Sequence, residues 1–405
     1  GKLCDCRHAP GAVGPNQTSG LPAGNRVCAK RAVEHDNDCQ YIINVVKSEL
    51  APFFFMNTKK SNKKIFVAGG AGFIGSNFIR YMLQKHKDIF VLNFDKLTYS
   101  GNLDNLRDVE KNPSYSFVKG DIGDAKAVAA AFKEFNPDFV INFAAETHVD
   151  KSIHVGAKEF IDTNITGVFN ILEAVKASPA VKKYVQVSTD EVYGSLALKS
   201  RAKFTEQTPF APNVPYAATK AGGDMLCRAY YHTFGVPVVV THCSNNYGPY
   251  QYPEKLIPFF VLRMLEGKKL PIYGDGKNVR DWVYVLDHVH ALDLCLFKGK
   301  PGEVYNIGAD HELNNLYIAN LILKSFGRDA SWLEFIADRP GHDRRYAIDA
   351  SKIKKELGWK PQYDFRKAFR ATINWYLAND IWVDRVRKKT GVFNPHIDLW
   401  RAHVK

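Results

Sequence analysis

No compact run of Lys and Arg with interleaved aromatics occurs in the periodic part of this 405-residue chain, although its formal net charge is +13. That absence argues against a nucleic-acid partner, whose electrostatic footprint is a clustered basic patch or stripe. The cationic excess is dispersed: residues 1–64 hold ten Lys/Arg against five Asp/Glu, and the remainder supplies a further eight units of charge. Anionic small ligands, nucleotides among them, suit such a balance. Long apolar runs are also lacking near the start, where Tyr41-Ile42-Ile43 and Phe53-Phe54-Phe55 are too short to cross a bilayer, so no membrane partner is expected. Cysteine is sparse in the periodic region: Cys227, Cys243 and Cys295 stand singly in apolar surroundings and read as reduced, buried small hydrophobes of a cytoplasmic protein. The other four, Cys4, Cys6, Cys28 and Cys39, lie near His35 in the first 39 residues. Their spacing matches no zinc-site pattern, and no metal is expected.

What is present is a globular composition, 45% hydrophobic, long enough for a large α/β domain with a smaller lobe. Residues 1–57 are rich in Gly, Pro and Asn, begin without Met, and precede Met56-Asn57-Thr58-Lys59-Lys60. Met56 is the expected natural start, which makes residues 1–62 a disordered or non-native extension.

The first strong strand, Lys64-Ile65-Phe66-Val67-Ala68, runs into Gly69-Gly70-Ala71-Gly72-Phe73-Ile74-Gly75 and then the helical Ser76–Leu83. Gly69, Gly72 and Gly75 permit a sharp turn, close approach of a pyrophosphate, and tight helix packing, with a helix N-terminus facing the negative charge. A glycine repeat alone is weak evidence. Here a second strand, Ile89–Phe94, ends at Asp95, twenty residues after Gly75, where a carboxylate accepts hydrogen bonds from ribose hydroxyls and disfavours a 2′-phosphate. NAD is therefore the expected cofactor. Further apolar runs at Ser116–Val118, Phe139–Ala145, Tyr184–Ser188 and Val236–Val240 continue the alternation, which predicts a Rossmann-type, doubly wound parallel sheet with ligands at the strands' carboxyl ends.

The reactive residues come next: Ser188-Thr189-Asp190-Glu191-Val192-Tyr193-Gly194 closes one strand, and Tyr216-x-x-x-Lys220 follows Pro215 in a helical segment. Tyr216 and Lys220, four apart, share a helix face. A neighbouring ammonium and a cationic nicotinamide favour the phenolate, lowering a hydroxyl that ordinarily ionises at about pH 10. Beyond these lie two turn-rich polar segments, 243–258 and 270–284, and a basic cluster, Asp338–Tyr346. Lys255 and Arg280 are suited to a diphosphate and Tyr273 to stacking on a base.

With the glycine turn, Thr189, Tyr216 and Lys220 together, residues from about Lys63 to Asp380 resemble the extended short-chain dehydrogenase/reductase family. The pair Asp190-Glu191, with Leu97–Leu103 and Ala144–Asp150, is similar to its dTDP-glucose 4,6-dehydratase members; the epimerases lack such a pair, and GDP-mannose dehydratases usually keep only the Glu. That resemblance implies oxidation at C4 of a hexose, loss of water across C5 and C6, and return of hydride to C6, an early step toward rhamnose and other deoxysugars. Glu191 is then the base at C5, and Asp190, kept protonated by burial and its neighbour, the acid at the C6 oxygen. The resemblance further implies that Phe73, Ile74, Asp95, Lys96, Thr98, Asp121, Ile122, Ala145, Thr163 and Asn246 touch NAD, as do Tyr216 and Lys220. It implies that Thr189, Asn245, Lys255, Leu256, Pro271, Tyr273, Arg280, Asn315, Arg339 and His342 touch the nucleotide sugar. Ala68 stands where the family commonly has Thr, and Thr147 where Ser is usual. The expected division is a cofactor domain at 63–245, a sugar-nucleotide lobe at 246–385 interleaved with it, and an uninformative tail at 386–405. A homodimer is implied through helices within 157–177 and 217–234, with Phe365, Phe369, Ile373 and Tyr376 of the last helix facing the core. UDP-glucose as the substrate, or an idle NAD- or sugar-nucleotide-binding regulator, are the alternative readings.

Overall fold

Strands that are apolar on both faces can be stable only between two layers of helices, and this is how the chain folds. The computed structural model describes residues 62–390, so the readings of Met56, His35 and the four N-terminal cysteines lie outside the described residues. The strands are β1 (Lys63–Ala68), β2 (Ile89–Asp95), β3 (Tyr115–Lys119), β4 (Phe139–Asn142), β5 (Lys183–Thr189), β6 (Val238–Cys243), β7 (Asn245–Tyr247), β8 (Leu270–Tyr273), β9 (Val279–Tyr284), β10 (Val304–Ile307), β11 (Glu312–Asn314) and β12 (Leu333–Ile336). Seven form one parallel sheet in the order β10-β6-β5-β4-β1-β2-β3. The chain winds outward from β1 to β3, then restarts at β4 on the other side, leaving a topological switch between β1 and β4 where ligands collect.

Period-two alternation sends Ile65 and Val67 to one core, shared with helices Phe73–Lys85 and Val285–Lys298, and Phe66 and Ala68 to the other, shared with helices Ala125–Phe135, Val168–Lys176 and Pro215–Phe234. After residue 245 the chain builds a lobe from a β11-β9-β7 sheet and a β8-β12 pair, but returns to the large sheet with helix Val285–Lys298 and β10. Phe365, Phe369, Ile373 and Tyr376 of helix Phe365–Ala378 are buried in that lobe.

Several boundaries differ from the sequence reading, and three of the differences have a local reason. Strand β4 stops at Asn142 because that side chain's oxygen accepts the Ala144 N–H at 3.0 Å and turns the chain early. Strand β6 starts at Val238 because the Gly235 and Val236 N–H groups close the preceding helix onto Tyr231 and Tyr230, with Gly235 left-handed at φ +69°. The tail is not featureless either: Asp380–Thr390 is a helix whose Trp382, Val383 and Val386 are buried.

Candidate active site

The glycine turn after β1 can be built only from residues that tolerate close backbone approach. Gly69 has φ +75°, and a Cβ there would meet the Ala144 nitrogen at 2.4 Å. A Cβ on Gly75 would meet the Gly69 carbonyl oxygen at 2.4 Å, so the helix Phe73–Lys85 packs directly on the turn. Asp95 ends β2 with its carboxylate accepting the Ala71 N–H at 2.9 Å and the Leu97 N–H at 2.7 Å. Burial pushes this acid up, opposed by those two hydrogen bonds and the charge of Lys389.

Two hollows meet over this turn and share Gly69, Gly72, Ser100, Phe143 and Ala145 as lining. The smaller, about 80 Å³, is walled by Asp95, Lys96, Thr98, Asp121, Ile122 and Thr163, with Lys96 paired to Asp121 at 2.6 Å. The larger, about 420 Å³, is walled by Phe73, Ile74, Gly75, Thr189, Asp190, Glu191, Tyr216, Lys220, Asn245 and Asn246. Its far side is formed by Lys255, Leu256, Pro271, Tyr273, Arg280, Asn315, Arg339 and His342. An extended dinucleotide with a ribose-binding carboxylate at one end and a reactive cluster at the other fits this outline.

Thr189 is the last residue of β5 and caps the short turn Asp190–Tyr193, its hydroxyl oxygen accepting the Glu191 N–H at 3.3 Å. The turn is anchored behind by the Tyr193 hydroxyl, which lies 2.7 Å from His242 Nδ1 and donates to Asn306 at 2.9 Å. Asp190 is 1% exposed, and its Oδ2 has no hydrogen-bond partner among the described residues. Burial, then the Glu191 and Asp281 carboxyls, push Asp190 well above the carboxylate range. Half-buried Glu191 is also raised by burial, but Arg339, Arg280 and Lys255 pull it back. Both acids are raised on balance, Asp190 by burial and two carboxyls and Glu191 by burial with three cations opposing, so the proton is held more firmly on Asp190.

Tyr216 and Lys220 project from the first turns of helix Pro215–Phe234 into the same cavity. The expected phenolate rests on Lys220 together with a cationic nicotinamide, of which the chain itself supplies only Lys220. Lys220 donates to the Val187 carbonyl at 2.8 Å, and burial lowers its affinity for the proton. Burial and the Glu191 charge push the Tyr216 phenol well above its usual value, with a Thr189 hydrogen bond opposing. The chain's own groups do not favour a phenolate, because burial opposes the charge and Glu191 and Asp190 are the carboxyls that act on it.

On the far side, Arg280 lies 4.2 Å over the Tyr346 ring and donates to the Asp343 carbonyl at 3.1 Å. Lys255 donates to the Thr147 carbonyl at 2.9 Å, and Arg339 lies 3.6 Å from Asp150. Burial holds His342 neutral beyond its ordinary tendency, with its Nδ1 2.5 Å from Asp338. Of the basic cluster 338–346, Arg344 and Arg345 turn away to pair with Asp275 and Glu312. Sequence reasoning missed Tyr346, Asp343 and Asp281, which shape the acids and Arg280. They lie within the segments 270–284 and 338–346, but their partners Asp190 and Arg280 are 60 residues or more away from Asp281 and from Asp343 and Tyr346 respectively, so spacing does not single them out.

The profile of the GDP-mannose 4,6-dehydratase family matches residues 66–372. A dTDP-glucose 4,6-dehydratase of Xanthomonas campestris pv. campestris is 49% identical over 337 residues, covering 79% of this chain and 95% of the relative. Among solved structures, the dTDP-glucose 4,6-dehydratase of Bacillus anthracis in complex with NAD has a TM-score of 0.75 at 50% identity, covering 80% of this chain and 99% of that one. The dTDP-glucose 4,6-dehydratase of Streptomyces venezuelae, also with NAD bound, has a TM-score of 0.76 at 45% identity, covering 80% and 99%.

Proposed function

This chain belongs to the dTDP-glucose 4,6-dehydratase family, and we propose that it converts dTDP-glucose to dTDP-4-dehydro-6-deoxyglucose, a lyase step on the way to deoxysugars such as rhamnose. The observation that carries this reading is the pairing of Asp190 and Glu191 with Tyr216 and Lys220 around one cavity that opens onto the glycine turn. Bound NAD supplies a hydride acceptor that is restored when the hydride returns to the sugar. Gly69, Gly72 and the helix start at Phe73 hold its pyrophosphate, Asp95 a ribose, and Lys96, Thr98, Asp121, Ile122, Ala145 and Thr163 the same end of the cofactor.

At the sugar, Tyr216 takes the C4 hydroxyl proton as a phenolate, a form the chain's own groups disfavour and the positive nicotinamide of bound NAD would favour, with Thr189 hydrogen-bonded to the phenol oxygen. Lys220, tied to the Val187 carbonyl, holds its charge beside the helix and steadies the phenol's surroundings. Once C4 is a ketone, the C5 proton is acidic, and Glu191 removes it. Asp190 gives its proton to the C6 oxygen as the C6–O bond breaks, releasing water, and Glu191 then returns a proton to C5. Arg280, Lys255 and Arg339 counter the diphosphate, and Tyr273 stacks on the base. The test is incubation with dTDP-glucose deuterated at C4: water loss with label arriving at C6 is the expected product by mass and NMR. Label washed out to solvent, or unchanged substrate, removes the reading. The uridine nucleotide run in parallel measures base selectivity.

The free, buried thiols Cys227, Cys243 and Cys295 support placement in the cytoplasm. Among the described residues no helix is long and apolar enough to cross a membrane. The homodimer reading is supported by Ile161, Phe169, Met225 and Phe234, large apolar side chains left exposed on the helices of 158–176 and 215–234. The exposed Phe169 and Phe234 rings flank the buried Tyr230 ring, with centroids 6.4 and 5.1 Å from it. Phe169→Glu combined with Met225→Glu is expected to give a monomer by light scattering, and an unchanged mass counts against this face.

A further inference from the structure

We propose that the helix Asp380–Thr390 is a latch on the loop that follows β2, with Lys389 as the positioning residue: its ammonium ties together the Thr98 and Gly101 carbonyl oxygens and so sets how long NAD stays bound. The inference rests on the reading that the cavity over the glycine turn holds NAD.

The loop between β2 and Leu103 has no ladder of its own, and it starts with Leu97 at φ +58°, a left-handed conformation unfavourable for a branched side chain. Thr98, Ser100 and Gly101 line the smaller hollow together with Asp121 and Thr163. A segment with few backbone bonds needs outside support to keep such a wall in place. Lys389 provides it from almost 300 residues away, donating to the Thr98 oxygen at 2.9 Å and to the Gly101 oxygen at 2.6 Å. Charge-assisted bonds of that length are the stronger kind.

The same helix reaches the glycine turn itself. Trp382 Nε1 donates to Asn105 Oδ1 at 2.8 Å, and the Asn105 amide donates to the Ala71 carbonyl at 2.9 Å, which also accepts the Asn102 N–H at 3.0 Å. Arg385 pairs with Asp104 at 3.3 Å. Trp382 is seated against Trp375 and Tyr250, with ring centroids 5.1 and 6.1 Å away, so the latch is hinged on the apolar lobe and fastened at its tip by Lys389. The Lys389 charge also acts on Asp95, favouring the ionised carboxylate that a ribose diol needs. Opening the tip would free the loop and uncover the ribose end of the cavity without disturbing the reactive cluster.

The experiment uses full-length protein and the variants Lys389→Met, Lys389→Arg and Trp382→Phe. NAD per chain is measured by chromatography after denaturation, and NAD release by dilution into isotopically labelled NAD. Lys389→Met, which loses both charge-assisted contacts to the loop, is expected to release NAD about tenfold faster. Lys389→Arg should restore slow release, because a guanidinium can reach both carbonyls. Trp382→Phe, which keeps an aromatic ring but removes the indole N–H, should also speed release, and hydrogen exchange in Lys389→Met should rise over residues 96–106 while the β5 amides stay unchanged. Wild-type release from Lys389→Met, in a protein that binds NAD, overturns the latch alone. A wild-type protein that neither carries nor takes up NAD overturns the cofactor reading and the latch with it.

Discussion

Glu191→Gln is expected to stop the reaction after the sugar has been oxidised. A glutamine keeps the shape of the side chain but cannot take the C5 proton, so kcat should fall about 10²–10⁴-fold, or about 3–5 kcal/mol of barrier. The fall should be confined to one step. Tyr216, Thr189 and Lys220 are untouched, so mixing the variant with dTDP-glucose should show reduced cofactor by its absorbance in a single turnover while water loss is stalled. Exchange of the C5 hydrogen with deuterated solvent should vanish in parallel. Substrate affinity should change little, because Arg280, Lys255 and Arg339 keep their positions around the cavity. Full turnover by this variant would falsify the assignment of the base.

Asp190→Asn should cost activity by a similar factor and yet make the protein more resistant to unfolding at neutral pH. The carboxyl is 1% exposed and lies beside Glu191 and Asp281, so its folded-state pKa sits well above the unfolded value of about 3.9. Between those two values the folded protein keeps a proton that the unfolded chain has lost. Stability therefore falls as pH rises through that window. The contribution is fully present below about pH 4, where both states are protonated, and is lost progressively above it. Asparagine has no proton to lose, so the stability difference between variant and wild type should widen by up to about 1.4 kcal/mol per pH unit above that point. Glu191 adds a dependence of the same sign to both proteins, and because it interacts with Asp190 the difference between the two reports the pair of acids. Denaturant curves from about pH 4 to 8 measure the difference. Parallel curves would mean that Asp190 is already ionised in the folded state and cannot serve as the acid.

Both predictions depend on an arrangement only partly legible in the chain. The glycine turn, the β2 carboxylate and the Tyr216/Lys220 pair were readable because each is a local pattern: a strand followed by glycines, a spacing of twenty, and two residues one helical turn apart. The adjacency of Asp190 and Glu191 is likewise covalent, so their proximity needed no fold. Strand ends were misjudged where a side chain or cap diverted a backbone group, as Asn142 and Gly235 do. The bond from Lys220 to a carbonyl on β5, 33 residues earlier, is not legible in the chain, because it follows from the packing of the helix on the sheet.

Sequence alone determined the kinds of groups available and the alternating βα pattern, because burial periodicity and turn chemistry act over a few residues. The tertiary structure decided which of those groups meet. It turned Arg280 and Arg339 inward and Arg344 and Arg345 outward, set Asp281 behind Asp190, and laid Lys389 on the loop after β2. Contacts of that kind follow from packing between elements remote in the chain, and charge acts through space along the distances that packing sets.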